Sequence, residues 1–216
     1  SGEKLLQQEE ELELPGNLPA MSQILRYEIT PRVMEQKVMA NRLVFRGMSN
    51  LRLLYSSEDG KICSWDTEIP FSQYTDLDRD YGSNVEATVV PIVTSLEIDR
   101  DADSKLVLKC GIAAQYVLYD RVLLDIVEDA YSNVRKLEMA QQALCLPVCL
   151  ESRNETREVS LSINASGQKI LDVQYIHQHP EVMQTGDVAQ VTIPIQAQSL
   201  YLDPDGNLQN ATGKTS

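Results

Sequence analysis

Apolar and polar residues along this chain alternate mainly with a period of two. Leu51, Leu53 and Tyr55 share one parity, and past Glu58-Asp59-Gly60-Lys61 so do Cys63, Trp65, Thr67 and Ile69. Side chains at i and i+2 of a strand point to one face, so each run predicts a half-buried strand. Leu106, Leu108, Cys110 and Ile112 alternate in the same way with Val107, Lys109 and Gly111, and Val159, Leu161 and Ile163 alternate with Ser160 and Ser162. Val85 to Val93 is rich in β-branched residues but holds Pro91, which predicts an edge strand or a bulge because proline donates no ladder hydrogen bond. The segment Lys4 to Glu13 suits a helix or a strand. Only between Val122 and Leu144 does helix compete seriously, since Val134 to Leu144 has good helix formers without Gly or Pro. The predicted fold is mainly β and sandwich-like, with one helix after Asp129.

Asp59-Gly60 between two alternating runs marks a hairpin, with the two positive-φ positions of a type I′ turn expected there. The same pattern returns 146 positions later. Ile24-Leu25 recurs as Ile170-Leu171, and Leu54-Tyr55 with Asp59-Gly60 and Ile62 recurs as Leu200-Tyr201 with Asp205-Gly206 and Leu208. Two blocks keeping one spacing predict an internal repeat. The expected organisation is a first β module over 1–150 and the N-terminal part of a second over 151–216. An unfinished second module would leave an unpaired edge open to another copy of the chain. Ser1-Gly2 reads as the scar of a cleaved tag, so the native chain is expected to extend beyond both ends.

Composition narrows the partners. With 43% hydrophobic and 24% charged residues the chain has the makeup of a folded domain. Nine Tyr, two Phe and one Trp leave the core mainly aliphatic. A net charge of −13 repels phosphate backbones, which argues against nucleic acid. The apolar runs are far shorter than the roughly twenty residues a spanning helix needs, so no membrane insertion is expected. Cys63, Cys110, Cys145 and Cys149 read as free thiols of a reducing compartment.

No catalytic constellation is convincing. The chain has no Gly-x-Ser-x-Gly elbow, His-Glu-x-x-His pair, phosphate loop or dinucleotide fingerprint. His177 and His179 are the only histidines and on a strand would share a face, a two-ligand fragment that Cys145 and Cys149 could complete through the fold. Against it stands a plain polar loop before Pro180. Acidic clusters starting at Asp76, Asp99 and Asp203 fail the calcium-loop pattern, since position six holds Tyr81, Ser104 or Leu208 where glycine is needed. Turn chemistry accounts for them better. Trp65, Phe71 and Tyr74 could form an aromatic binding patch, although the parity of Trp65 places it in the core. The sequence therefore predicts a binding protein with no cofactor, metal ligand or catalytic residue to assign. A metal-dependent enzyme around His177 and His179 remains the least favoured alternative.

The order and spacing of several blocks resemble a known family. Ile24-Leu25-Arg26-Tyr27, Asn41 to Gly47, Leu54 to Gly60 and Glu68 to Tyr74, with a further block at Asp129-Ala130-Tyr131-Ser132, resemble the SPOCS-domain family of sporulation proteins from endospore-forming Gram-positive bacteria. The resemblance covers most of residues 10 to 135. It implies a non-enzymatic, scaffolding role in the mother-cell cytoplasm at the forespore surface, docking onto other spore-coat morphogenetic proteins. A cell-wall module that binds peptidoglycan or another carbohydrate of the spore envelope is the alternative. The family supplies no catalytic residues to carry over.

Overall fold

The computed structural model describes residues 1–82, 85–100, 105–120, 122–123, 125–136, 138–140, 142–143, 145 and 157–215. Two compact units emerge, one joining Ser1–Arg121 with Leu161–Ser216 and the other Val122–Ser160. Among the described residues, the first contains every strand.

Six strands build its N-terminal part: β1 (Gly2–Leu12), β2 (Met21–Met39), β3 (Arg42–Ser57), β4 (Ile62–Asp76), β5 (Glu86–Arg100) and β6 (Leu106–Tyr119). They form two antiparallel three-stranded sheets, ordered β2-β3-β4 and β1-β6-β5. The alternation in the sequence decides which faces meet. Leu43, Phe45, Leu51, Leu53 and Tyr55 of β3 join Leu106, Leu108, Cys110 and Ile112 of β6 in one buried cluster, with Cys63, Ile69 and Phe71 of β4 beside them. Two sheets sharing one core make a sandwich. Fully burying one such aliphatic side chain stabilises by roughly 1.5–3 kcal/mol, so this shared face dominates the energetics. Pro31, Pro70 and Pro91 all lie on edge strands, where the lost donor breaks no central ladder.

Both open edges of the sandwich are closed by a glutamine. Gln36 of β2 donates its side-chain amide to the Ala87 carbonyl at 2.7 Å and accepts from the Val89 N–H at 3.1 Å, so it meets β5 as a strand backbone would. On the opposite edge Gln8 of β1 donates to the Pro70 carbonyl at 3.2 Å and accepts from the buried Ser49 hydroxyl at 3.1 Å. Among the described residues no buried side-chain polar atom lacks a partner.

Five further strands follow: β7 (Lys169–His177), β8 (Glu181–Thr185), β9 (Val188–Thr192), β10 (Ile195–Leu202) and β11 (Leu208–Thr215). They make a sheet ordered β11-β10-β7 and a separate β8-β9 hairpin. Residues 146 apart take matching pairs. Ile24 opposite Tyr55 and Arg26 opposite Leu54 correspond to Ile170 opposite Tyr201 and Asp172 opposite Leu200, and the register slips at the same place in both, past Leu25 and past Leu171. The turn after β2 has positive φ at Ala40, and the turn after β8 at Gly186.

The hairpin after β3 departs from the expected turn. Only Gly60 has positive φ, at 74°, while Asp59 does not. The Gly60 N–H reaches the Ser57 carbonyl at 2.9 Å, and the Ser57 N–H reaches the Lys61 carbonyl at 2.8 Å. This is a longer loop closed by one left-handed glycine, a conformation glycine adopts without steric cost. Gly206, at φ 82°, closes the hairpin after β10 with equivalent bonds between Asp203 and Asn207.

Other expectations resolve in different ways. The ambiguous N-terminal segment is strand β1, whose Leu6 and Gln8 alternate into the interior. Val159, Leu161 and Ile163 form no strand, although Leu161 and Ile163 come close to Gly213 of β11 and so cover part of that sheet. Period-two apolar spacing creates a strand only where a neighbour offers a ladder. The described residues of Val122–Ser160 contain no helix: propensity alone is a weak force without an apolar face to pack. There Asp129 and Ser132 instead accept bonds from the N–H groups of Ala130, Val134 and Arg135. Cys63 and Cys110 are buried free thiols and Cys145 an exposed one, while Cys149 lies outside the described residues. Burial pushes the Cys110 thiol above its ordinary range.

Two substitutions probe this frame. A Cβ on Gly47 would run into the Arg32 carbonyl and the Phe71 ring, whereas Gly16 has open space around it. Gly47→Ala is expected to destabilise the fold by about 2 kcal/mol or more in denaturant titration, and Gly16→Ala by less than about 0.5 kcal/mol. The Asp203 carboxylate is held below its usual range, first by the Asn207 N–H, which it accepts at 2.8 Å, and then by the side chains of Asn207 and Gln209 and the Asp205 N–H. A carboxylate depressed in the folded state stabilises fully above its unfolded pKa of about 3.9 and progressively less as pH falls towards its folded value. Amide exchange at Asn207 should therefore accelerate below about pH 4 relative to Lys61, whose N–H bonds the non-titrating Ser57 hydroxyl. Asp203→Ala should abolish this difference in pH response.

Candidate functional site

Odd-numbered residues of β3 face the core, so the even-numbered ones form the outer face of the β2-β3-β4 sheet. Arg52 projects there, half-buried, and Arg26 joins it from β2. Strand β7 lies against them. Asp172, whose side chain is only 7% exposed, accepts from Arg26 at 3.2 Å and from Arg52 at 3.3 Å, one carboxylate oxygen to each guanidinium. Arg52 also donates to the Val173 carbonyl and pairs with Asp66 of β4 at 3.4 Å. Arg26 pairs with Glu28 as well, at 3.2 Å.

Solvation explains the arrangement. Removing a carboxylate from water costs several kcal/mol, and two guanidiniums with their donors aimed at its oxygens compensate it. Leu171 is displaced from the ladder by the register slip and is 3% exposed, so an apolar anchor sits beside the charged cluster. Such a pairing of buried apolar group and satisfied charge is typical of a specific interface.

Along the same face runs an open groove of about 710 Å³, lined by Arg32, Met34, Met48 and Glu68 on one side and Gln174 and Tyr175 on the other. Met34 and Tyr175 are largely exposed. Methionine adapts its shape and tyrosine and arginine supply large, partly polar contacts, the residue types enriched at protein interfaces.

Among the described residues, those considered for chemistry do not assemble. His177 is the last residue of β7, opposite Ile195, and His179 lies in the connection after it, so they do not share a strand face. Among the described residues no group of three or more His, Cys, Asp or Glu is placed to hold a metal ion. Trp65 packs against the core and Phe71 is buried in it, while Tyr74 lies on the other face under the Arg42 guanidinium, 4.9 Å from its ring centre. Asp76 is tied to Arg42 at 2.9 Å and Asp203 to its own turn; of the third acidic cluster, residues 101–103 lie outside the described residues.

Arg26, Arg52 and Asp172 were not singled out by motif reasoning. A signal existed: Arg26 and Asp172 each follow an Ile-Leu pair and stand 146 positions apart with opposite charge.

Comparison with protein families adds an independent observation. Residues 20–99, spanning β2 to the end of β5, match the family model described as SipL, SPOCS domain. Residues 20–99 form a SPOCS domain. The match covers β2, β3 and β4 entire, so the face bearing Arg26 and Arg52 belongs to the SPOCS domain itself, while Asp172 lies beyond the matched region. No curated protein and no solved structure matches the chain. The SPOCS family suggests a sporulation-related role. Among the described residues no helix is long and apolar enough to cross a membrane.

Proposed function

We propose that this protein is a non-catalytic scaffold of spore-coat assembly, acting at the forespore surface by binding other coat morphogenetic proteins. The SPOCS match over residues 20–99 carries the reading. The groove beside β7 supports it, because its lining of Met34, Met48, Arg32 and Tyr175 offers adaptable apolar area and charge. It gathers no nucleophile with an adjacent base. We further propose that β7 to β11 are the opening part of a second SPOCS-like module, supported by the shared register, slip and turn positions at a spacing of 146. A carbohydrate-binding role would need an exposed aromatic platform, which Trp65, Phe71 and Tyr74 do not form.

Binding of the full chain to purified coat morphogenetic proteins tests the reading. Submicromolar binding to one of them is expected, weakened at least tenfold by Met34→Glu/Met48→Glu with the melting temperature unchanged. Failure to bind any coat protein, together with sedimentation alongside purified cortex peptidoglycan, would replace it with the cell-wall role.

A further inference from the structure

The other outer face of the sandwich belongs to the β1-β6-β5 sheet, on the side away from the groove. Leu106, Leu108, Cys110 and Ile112 of β6 point into the core, so its odd-numbered residues from Val107 to Tyr119 point outward. The register sets Leu5 of β1 and Ile92 of β5 on either side of Ala113, Val90 beside Gln115, and Val117 and Tyr119 beyond them. Five large apolar side chains thus stand together at one end of the face, from 39% exposed at Val117 to 67% at Leu5. Scattered exposed apolar residues are ordinary, but a contiguous group of them is the mark of a surface that meets another molecule.

Towards its other end the same face is acidic. Glu9 and Glu97 flank Lys109, Glu11 and Asp99 flank Val107, and Glu3 and Glu86 border the apolar end. Lys109 pairs with Glu9 at 3.7 Å, and Lys105, at the margin, with Glu11 at 3.8 Å and Glu13 at 3.3 Å. Lys4 and Arg100, the other cations of these strands, have the opposite parity, and Arg79 near the apolar end is neutralised by Asp120 at 3.1 Å. Glu86, Glu97 and Asp99 have no ion-pair partner among the described residues. Between the two ends Thr94, Ser95 and Gln7 close over Gly111, so the surface is filled there and suits an elongated partner lying across it rather than a small ligand inserted into it.

The outward row of β6 is about 40 Å long and three strands are about 10 Å wide. An area on the order of 400 Å² suits one segment of a partner, since stable interfaces between domains bury about 800 Å² a side. Charge decides its chemistry. Nucleic acid and anionic lipid are repelled, and a second copy meeting through the same face would set carboxylates against carboxylates.

We propose that this face docks a basic, amphipathic segment of another protein, its apolar side chains on Leu5, Ile92 and Val117 and its lysines or arginines against Glu9, Glu97 and Asp99. The inference goes beyond the scaffolding reading: a partner held here leaves the Met34 groove free on the opposite sheet, so one molecule bridges two others.

Selection of random peptides about twelve residues long, enough to span the face when extended, against the full chain tests the proposal. Enriched peptides are expected to carry apolar residues at one end and lysine or arginine at the other. A synthetic copy of one should bind about tenfold or more weakly to Leu5→Thr/Ile92→Thr and to Glu97→Gln/Asp99→Asn. Glu181→Gln/Asp187→Asn, an equal charge change on the exposed β8-β9 hairpin, and Met34→Glu/Met48→Glu in the groove should leave its affinity within about twofold. Peptides without basic residues, an equal loss on the hairpin variant, or no sequence tighter than about 100 μM overturn the proposal. Should a face variant lose its β-sheet circular dichroism, amide shifts induced by the peptide in the wild-type chain decide: shifts centred on β1, β5 and β6 uphold the site, and shifts centred elsewhere overturn it. Coat-protein binding that only the groove variant weakens leaves the scaffold reading standing whatever the peptides show, so the two fail separately.

Discussion

One parity of β3 pressed against one parity of β6 is the constraint on which the first six strands depend. Leu43, Phe45, Leu51, Leu53 and Tyr55 cannot reach the interior unless the even residues of β3 face outward, since a one-residue slip would turn every side chain over. The outer face is thus a by-product of the inner one. Arg26 and Arg52 acquire a common direction because the core fixes the register of β2 and β3, and the slip past Leu25 sets Arg26 opposite Leu54. The glutamines at the two edges complete this frame by different means. Gln36 imitates a strand backbone towards β5, and Gln8 ties a buried hydroxyl to a proline-bearing edge that lacks its own donor.

The later sheet keeps the turns of the first but not its core. At the positions of Leu51 and Leu53 it has Ala197 and Ser199, which are buried, and at that of the buried Phe45 the separate β8-β9 hairpin has Val191, which is exposed. Smaller inward residues bury less apolar area, so this sheet has less to hold it together than the sandwich. Its anchorage on the SPOCS domain through Leu171 and Asp172 therefore matters more to it than any comparable surface contact matters to the sandwich.

Much of the first sandwich was legible in the sequence because alternation reports burial directly. Leu51 to Tyr55, Cys63 to Ile69 and Leu106 to Ile112 lie inward as their parity predicts, apart from Trp65 and Thr67, which are partly buried, and Pro91 lies on an edge strand. What failed was what a neighbour decides. Val159 to Ile163 has the spacing of a strand but no partner, and Val134 to Leu144 has helix formers but, among its described residues, no helix. The type I′ expectation failed for a related reason: Asp59-Gly60 permits several loops, and the Ser57 hydroxyl, bonding the Lys61 N–H at 3.1 Å, favours the longer one. The candidate site was hidden because it joins residues 146 apart, and no local pattern marks an arginine that will meet an aspartate across two sheets.

The charge difference at those two positions is what lets the later sheet pair with the first. Positions 26 and 172 occupy the same register in their sheets, one with a guanidinium and the other with the carboxylate it binds. Arginine in one and aspartate in the other makes the contact between the two sheets of the chain favourable. Leu171 adds the apolar attraction, which alone would be indiscriminate. Asp172 gives the contact direction, since its two guanidinium partners offset the cost of its desolvation only in this arrangement.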